Sequence, residues 1–63
     1  MTTYEKVKKL ADEQGMPIYK VEQAAGISNG TIGGWREGKP LFETACKVAA
    51  ALGVSVVDLI GEE

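Results

Sequence analysis

The side chains of this chain that could do chemistry are hydrogen-bonding groups gathered just beyond residue 27. Ser28, Asn29 and Thr31 lie close together, and their hydroxyl and amide groups both donate and accept hydrogen bonds. Catalytic groups are scarce, because the chain has no histidine and one cysteine. That composition leaves no plausible zinc site and removes the commonest general base near neutral pH. We therefore expect non-covalent recognition, with no metal, no cofactor and no enzymatic activity.

The length and composition of the 63-residue chain limit the kind of protein that it can be. Such a length predicts a single domain, 1–63, of modest stability, since it buries only about 60% of its unfolded surface. No apolar run approaches the roughly 20 residues that span a bilayer, and no leader indicates secretion. The single Cys46 excludes an internal disulfide and favours a reducing cytoplasm. Many nucleic-acid-binding proteins are basic overall, and the formal net charge of −2 therefore argues against DNA binding. The charge of a local patch matters more for DNA binding than the total charge does.

Two short helices joined by a glycine turn are the elements that must position the polar side chains. Gly26 can take a positive φ at the end of one helix, and Ser28 can cap the next. Ile32 and Trp35, three residues apart, give that second helix an inward face. The pattern predicts a helix-turn-helix at about 17–36. The second helix of such a pair commonly enters the major groove of DNA.

Residues that typically begin or end helices recur along the whole chain, and they predict five helices and no strand. A Thr2–Glu5 capping box opens the first helix, and Gly15 ends it. The other four helices are predicted over about 17–25, about 28–36, roughly 41–52, and from the Ser55–Asp58 signal to Gly61. Leu41 and Phe42 begin the broad apolar face that we predict for helix four. The fold class is therefore all-α.

A longer pattern extends this interpretation across nearly the whole chain. Its first half is Val21, Ala25, Gly26, Ile27, Ser28, Ile32 and Trp35, and its second half is Lys39, Pro40, Thr44, Lys47, Val48, Ala49, Leu52, Gly53, Val54, Ser55 and Leu59. Over about 4–61 the pattern resembles the Cro and phage-repressor type (XRE-like) helix-turn-helix family. The resemblance implies a five-helix, lambda-repressor-like DNA-binding domain. It also implies a transcriptional regulator, often dimeric, whose partner is double-stranded DNA.

Several positions depart from the pattern of that family. Pro17 stands in place of the usual Ser or Thr cap, and Ile18 in place of a glutamine that helps to hold the phosphate backbone. Glu22 occupies a position where alanine is common. Leu41 replaces a frequent serine cap, and Val57 replaces a frequent acidic residue. The first two changes weaken the expected phosphate clamp.

The resemblance places Ser28, Asn29 and Thr31 at the start of the recognition helix, where they face DNA. Asparagine can pair with adenine through two hydrogen bonds, and threonine can contact a thymine methyl group or a phosphate. In the alternative interpretation, Asn29 and Thr31 are present only because they favour a helix N-terminus.

Three glycines, Gly30, Gly33 and Gly34, lie inside the predicted helix three, where a DNA reader usually displays long polar side chains. Each interior glycine costs about 1 kcal/mol relative to alanine. The functional interpretation is close approach of the backbone to DNA, with recognition through groove shape and phosphates. In the alternative interpretation, this face of helix three no longer reads DNA or has acquired another function.

The candidate phosphate contacts are Tyr19 and Lys20 on helix two, and Arg36 and Lys39 at and after the end of helix three. Tyr19 can reach a phosphate through its hydroxyl or lie flat on the surface. The three cations can equally be ordinary solvated residues, and Arg36 also favours the dipole of a helix C-terminus.

An apolar pair, Val57 and Ile60, suggests a dimer contact on the last helix. Ile60 can instead close the core. The sequence thus predicts a small DNA-binding regulator, a phage or bacterial repressor. The rival function is a protein-interaction adaptor or antitoxin-like module that keeps the fold and reads DNA weakly or not at all, and the net charge and the glycines favour it.

Overall fold

The computed structural model describes residues 2–38 and 40–60. Its helices, in chain order, are α1 (Thr3–Glu13), α2 (Ile18–Ala25), a 3₁₀ helix (Gly33–Arg36), α3 (Phe42–Leu52) and α4 (Val57–Ile60). These described ranges contain no strand, and the all-α fold class is confirmed. None of their helices has the length and apolar character needed to cross a membrane.

The first helix begins at the capping box that the sequence predicts. The Thr2 amide donates to Glu5 Oε1 at 3.0 Å, and the Glu5 amide donates to Thr2 Oγ1 at 3.2 Å. Both N–H groups lie at a helix start, where no carbonyl of the helix can accept from them. The reciprocal bonds therefore fix where α1 begins, and Gly15 follows its end with φ +70°.

Glycines in the left-handed region end both α2 and α3. Gly26 and Gly53 each have φ +73°, a conformation that costs glycine little because it has no Cβ. The end of α3 has a second partner, because Gln14 Nε2 donates to the Leu52 carbonyl oxygen at 2.6 Å. This bond joins the residue after α1 to the last turn of α3.

A single apolar cluster holds the helices together. Its fully or nearly buried members are Val7, Ala11, Val21, Ile32, Trp35, Val48, Ala49, Leu52 and Leu59. Contacts join α1 to the 3₁₀ helix and to α4, and α2 to α3. Burying a side chain of the size of Ile32 contributes about 1.5–3 kcal/mol. The predicted inward face of Ile32 and Trp35 is confirmed, and it fixes the 3₁₀ helix against α1.

The predicted third α-helix over 28–36 is wrong. Residues 28–32 form a turn, and only Gly33–Arg36 is helical, in the tighter 3₁₀ form. Gly30 has φ +91°, which no residue of a right-handed helix adopts. Three glycines also remove about 3 kcal/mol of helix propensity relative to alanine. The described residues consequently hold four α-helices rather than five.

The apolar face predicted for the fourth helix does not begin at Leu41 and Phe42. Leu41 is 77% exposed and Phe42 is 63% exposed. Leu41 lies in extended backbone before α3, so helical spacing does not place its side chain. Spacing identifies the face that Phe42 shares with Ala45, but not where along the helix the covering elements end. Burial on α3 begins at Ala45.

The last helix is opened by the pair that the sequence indicates. The Ser55 amide donates to Asp58 Oδ2 at 3.1 Å, and the Val57 amide donates to Ser55 Oγ at 3.3 Å. These bonds satisfy amides at the start of α4. Gly61, the predicted end of this helix, lies outside the described residues.

Candidate nucleic-acid interface

The turn after α2 carries the candidate interface and is held by backbone hydrogen bonds. The Gly26 amide donates to the Gln23 carbonyl oxygen at 3.1 Å, and the Ile27 amide donates to the Glu22 carbonyl oxygen at 3.0 Å. The half-buried Ile27 side chain packs against the core. The direction of the chain leaving α2 is therefore fixed on both sides of Gly26.

The side chain of Glu22 holds the next part of the turn. Glu22 is only 2% exposed, and its Oε2 accepts hydrogen bonds from the Gly30 and Ile32 amides, each at 3.0 Å. We expected the Ser28 side chain to cap the new helix. Instead, Glu22 accepts from these amides, because without an α-helix over 28–32 there is no helix start for Ser28 to cap. The sequence signalled Glu22 only as a departure from a common alanine.

Ser28, Asn29 and Thr31 lie on this turn and face outward to different degrees. Ser28 and Asn29 are exposed, and Thr31 is half-buried. The Thr31 amide donates to the Ser28 carbonyl oxygen at 3.2 Å, which closes a tight turn around Asn29 and Gly30. Three groups able to donate and accept hydrogen bonds are thus presented on a short, constrained loop.

The glycines make the surface beside this turn bare. Gly33 and Gly34 lie in the 3₁₀ helix rather than in an α-helix, and Gly30 lies in the turn. At all three positions, no atom lies within 4 Å of where a Cβ would stand. The space is open toward solvent, so a large partner can approach the backbone closely here.

The guanidinium of Arg36, a candidate phosphate contact, is already held by α1. Arg36 Nη2 donates to the Tyr4 hydroxyl at 3.0 Å, and its Cζ lies 4.5 Å from the centre of the Tyr4 ring. The hydrogen bond, and after it the charge interaction with Tyr4, raises the pKa of Arg36 above its usual value. The side chain remains exposed, and the guanidinium has further N–H donors. Helical spacing gave no signal of this contact, because Tyr4 lies 32 residues from Arg36 in the sequence.

The other candidate phosphate contacts are less constrained. Tyr19 and Lys20 are both exposed on α2, and Lys20 Nζ lies 5.8 Å from the centre of the Tyr19 ring. A cation at that distance over an aromatic ring gains about 0.5–1 kcal/mol at an exposed site. Lys39 lies outside the described residues. Of the three candidate cations, the structure thus describes Lys20 on α2 and Arg36 in the 3₁₀ helix.

Exposed apolar side chains lie on α4 and at the start of α3. Val57 is 62% exposed and Ile60 is at the margin of exposure, in the positions suggested for a dimer contact. Leu41 and Phe42, which were predicted to begin the apolar face of the fourth helix, form a second exposed apolar pair. Among the described residues, no group of histidine, cysteine, aspartate and glutamate side chains could hold a metal ion.

Comparison with known proteins identifies the family. The model of a helix-turn-helix family matches residues 7–59, a range that includes the turn, the 3₁₀ helix and all nine buried residues of the apolar cluster. No curated protein sequence and no solved structure gives a significant match. Because the family match extends over most of the chain, this protein belongs to the Cro/C1-type helix-turn-helix family of DNA-binding transcription regulators.

Proposed function

We propose that the chain is a sequence-specific repressor that reads duplex DNA with residues 28–36. The observation that carries this proposal is the constrained polar turn. Ser28 and Asn29 project from a loop whose backbone is fixed at Gly30 and Ile32 by the Glu22 carboxylate. A loop fixed in this way loses little conformational entropy on binding, which favours selective recognition.

In the proposed complex, the turn and the 3₁₀ helix enter the major groove together. Asn29 is the candidate for paired hydrogen bonds to adenine, and Thr31 for a thymine methyl group or a phosphate. One good bidentate contact to a base discriminates by about 1–3 kcal/mol against the wrong base. The bare surface at Gly33 and Gly34 allows the backbone to lie close to the duplex, so that groove shape contributes to selection.

Phosphate contacts set the salt dependence of the proposed complex. Arg36, Lys20 and Lys39 are the candidates, and each contact contributes about −0.9 to the slope of log affinity against log salt. The net charge of −2 opposes non-specific attraction to DNA. We therefore expect weak binding to arbitrary duplexes, and measurable selectivity at low to moderate salt.

We call the turn at residues 28–32 the reading turn. A two-fold dimer on DNA would place two reading turns about 34 Å apart, on half-sites one helical turn apart. Val57 and Ile60 on α4 are the proposed contacts between the two copies. One short apolar patch falls below the roughly 1,000 Å² that a stable interface needs. The dimer is therefore expected to form on DNA rather than in free solution.

A second candidate function is a protein-interaction adaptor that keeps the fold and reads DNA weakly. The acidic net charge favours it, and so does the exposure of Leu41 and Phe42 at the start of α3. An adaptor would use such apolar side chains as its contact. The two functions differ in whether residues 28–36 or the start of α3 meet the partner.

Selection from a pool of randomised duplexes separates the two functions. The purified chain and its Asn29→Ala variant are taken through the same rounds at low and at moderate salt. The repressor proposal predicts an enriched motif for the unchanged chain, and loss of preference at one or two positions of that motif for Asn29→Ala. Failure to enrich any motif at low salt would contradict sequence-specific binding and favour the adaptor.

A further inference from the structure

Among the described residues, Glu22 is the only polar or charged residue that is buried. Glu22 lies beside the fully buried Val21 on α2, and both face the core. Placing a carboxylate in such surroundings is costly unless hydrogen bonds compensate it. Among the described residues, no buried side-chain nitrogen or oxygen lacks a partner, so the carboxylate is satisfied where it lies.

Backbone amides of the reading turn provide that compensation. The bonds from Gly30 and Ile32 reach a single oxygen, Oε2, and the bond from Ile32 is buried. Hydrogen bonds from an N–H to a carboxylate are roughly twice as strong as those between neutral groups. The two bonds span residues 30–32 and attach this stretch to α2. Both are independent of the backbone bond from Ile27 to Glu22.

The conformation that results depends on glycine at position 30. With φ +91°, Gly30 turns the chain so that its own amide and the amide of Ile32 point at the same oxygen. A side chain at position 30 would meet no atom within 4 Å, so space does not require glycine there. The positive φ does require it, because residues with a Cβ rarely adopt this conformation. Glu22 and Gly30 therefore work as a pair.

We infer that Glu22 is a positioning residue for DNA reading, which with Gly30 holds Ser28–Thr31 in a bent, non-helical turn that presents Asn29 to the base edges. This inference rests on the proposed function and adds its specificity-determining pair. Glu22 itself does not touch DNA. Its carboxylate also occupies the Gly30 and Ile32 amides, so these two N–H groups do not serve as phosphate donors. The cations therefore contact the phosphates, and the side chains of the turn contact the bases.

The first arm of the test uses the full chain without DNA. Glu22→Gln keeps the shape of the side chain and removes its charge, and Glu37→Gln removes one negative charge from an exposed residue next to the 3₁₀ helix. Amide hydrogen exchange and amide chemical shifts are measured at Gly30 and Ile32. Glu22→Gln should speed exchange at both amides by about tenfold and move their shifts, whereas Glu37→Gln should change neither. Unchanged amides in Glu22→Gln would overturn the inference.

The second arm compares affinity for the selected duplex with affinity for a scrambled duplex at one salt concentration. Glu22→Gln should reduce the ratio of these affinities by about tenfold, the effect of one such hydrogen bond. The ratio for Glu37→Gln should match that of the unchanged chain. Because both variants lose one negative charge, a difference between their ratios does not arise from net charge. A merely structural role of Glu22 would weaken binding to both duplexes equally, and that outcome would contradict positioning.

Gly30→Ala provides a further test if Glu22→Gln does not fold. Gly30→Ala should lose the protected amides and the sequence preference together, while Gly15→Ala, which places alanine at φ +70° after the end of α1, should keep both. An equal effect of the two alanines would contradict the pairing of Glu22 with Gly30. If the unchanged chain shows no sequence preference, the proposed function and this inference both fail. If it shows a preference that Glu22→Gln and Gly30→Ala retain, the inference fails alone.

Discussion

The Arg36 guanidinium lies against the Tyr4 ring, with Cζ 4.5 Å from the ring centre and Nη2 3.0 Å from the hydroxyl oxygen. This relationship joins the end of the 3₁₀ helix to the first turn of α1. Arg36 thereby keeps one orientation beside the reading turn while its other N–H groups face solvent. A guanidinium is charged at any ordinary assay pH, and the hydrogen bond to Tyr4 raises the pKa of Arg36 further.

Arg36→Ala should weaken binding to all duplexes by a similar factor. It should also flatten the slope of log affinity against log salt by about one unit, because one phosphate contact is lost. Lys47→Ala, which removes one exposed cation from α3, is the matched control and should leave the slope unchanged. DNA titrations at several salt concentrations measure the affinity and the slope for both variants. A loss of affinity with the slope of the unchanged chain would remove Arg36 from the phosphate contacts.

Tyr4→Phe tests whether Tyr4 orients Arg36. The variant keeps the ring that packs against the core and loses only the hydroxyl that accepts from Arg36. We expect nearly unchanged thermal unfolding, and a loss of DNA affinity smaller than that of Arg36→Ala. Combining the two changes should cost no more affinity than Arg36→Ala alone, because Tyr4 acts through Arg36. Additive losses would show that Tyr4 contributes in another way.

Alanine substitutions at the glycines should have opposite effects on stability. Gly33→Ala and Gly34→Ala should raise the free energy of unfolding by about 0.4–1 kcal/mol, since both sites are open and neither has a positive φ. Gly30→Ala should lower it by about 1 kcal/mol or more, because alanine is strained at φ +91°. Denaturant unfolding measures all three variants. Stabilisation by Gly30→Ala would mean that the turn is helical in solution.

The proposed dimer contact on α4 predicts an effect of Val57→Asp on cooperativity. The unchanged chain should sediment mainly as a monomer at micromolar concentration and bind a full site as two copies. DNA with two half-sites raises the effective concentration of the second copy. Val57→Asp should abolish cooperative filling and leave binding to a single half-site nearly intact. Leu41→Asp is the control at the other exposed apolar pair, and a selective effect of that variant would place the interface at the start of α3.

Sequence reasoning predicted the elements whose end signals are local. The Thr2–Glu5 box, the glycine after α2 and the Ser55–Asp58 pair each act within a few residues, so their types and spacing suffice. Apolar spacing likewise identified Ile32 and Trp35 as core.

The reading segment could not be predicted in the same way. Its conformation depends on bonds from Gly30 and Ile32 to a carboxylate on the preceding helix, and helical spacing carries no information about them. The pairing of Tyr4 with Arg36 was missed for the same reason, since a contact across 32 residues follows from packing rather than from spacing. Side chains already engaged within the chain were thus the hardest part of the site to foresee.

A map of amide chemical shifts, recorded while the enriched duplex is added to the labelled protein, shows which surface of the chain meets DNA. If residues 28–36 read the duplex, the largest changes in chemical shift should fall on Ser28–Arg36, with smaller ones at Tyr19 and Lys20. Changes centred on Leu41 and Phe42, or no saturable change at low salt, would contradict DNA reading by this turn.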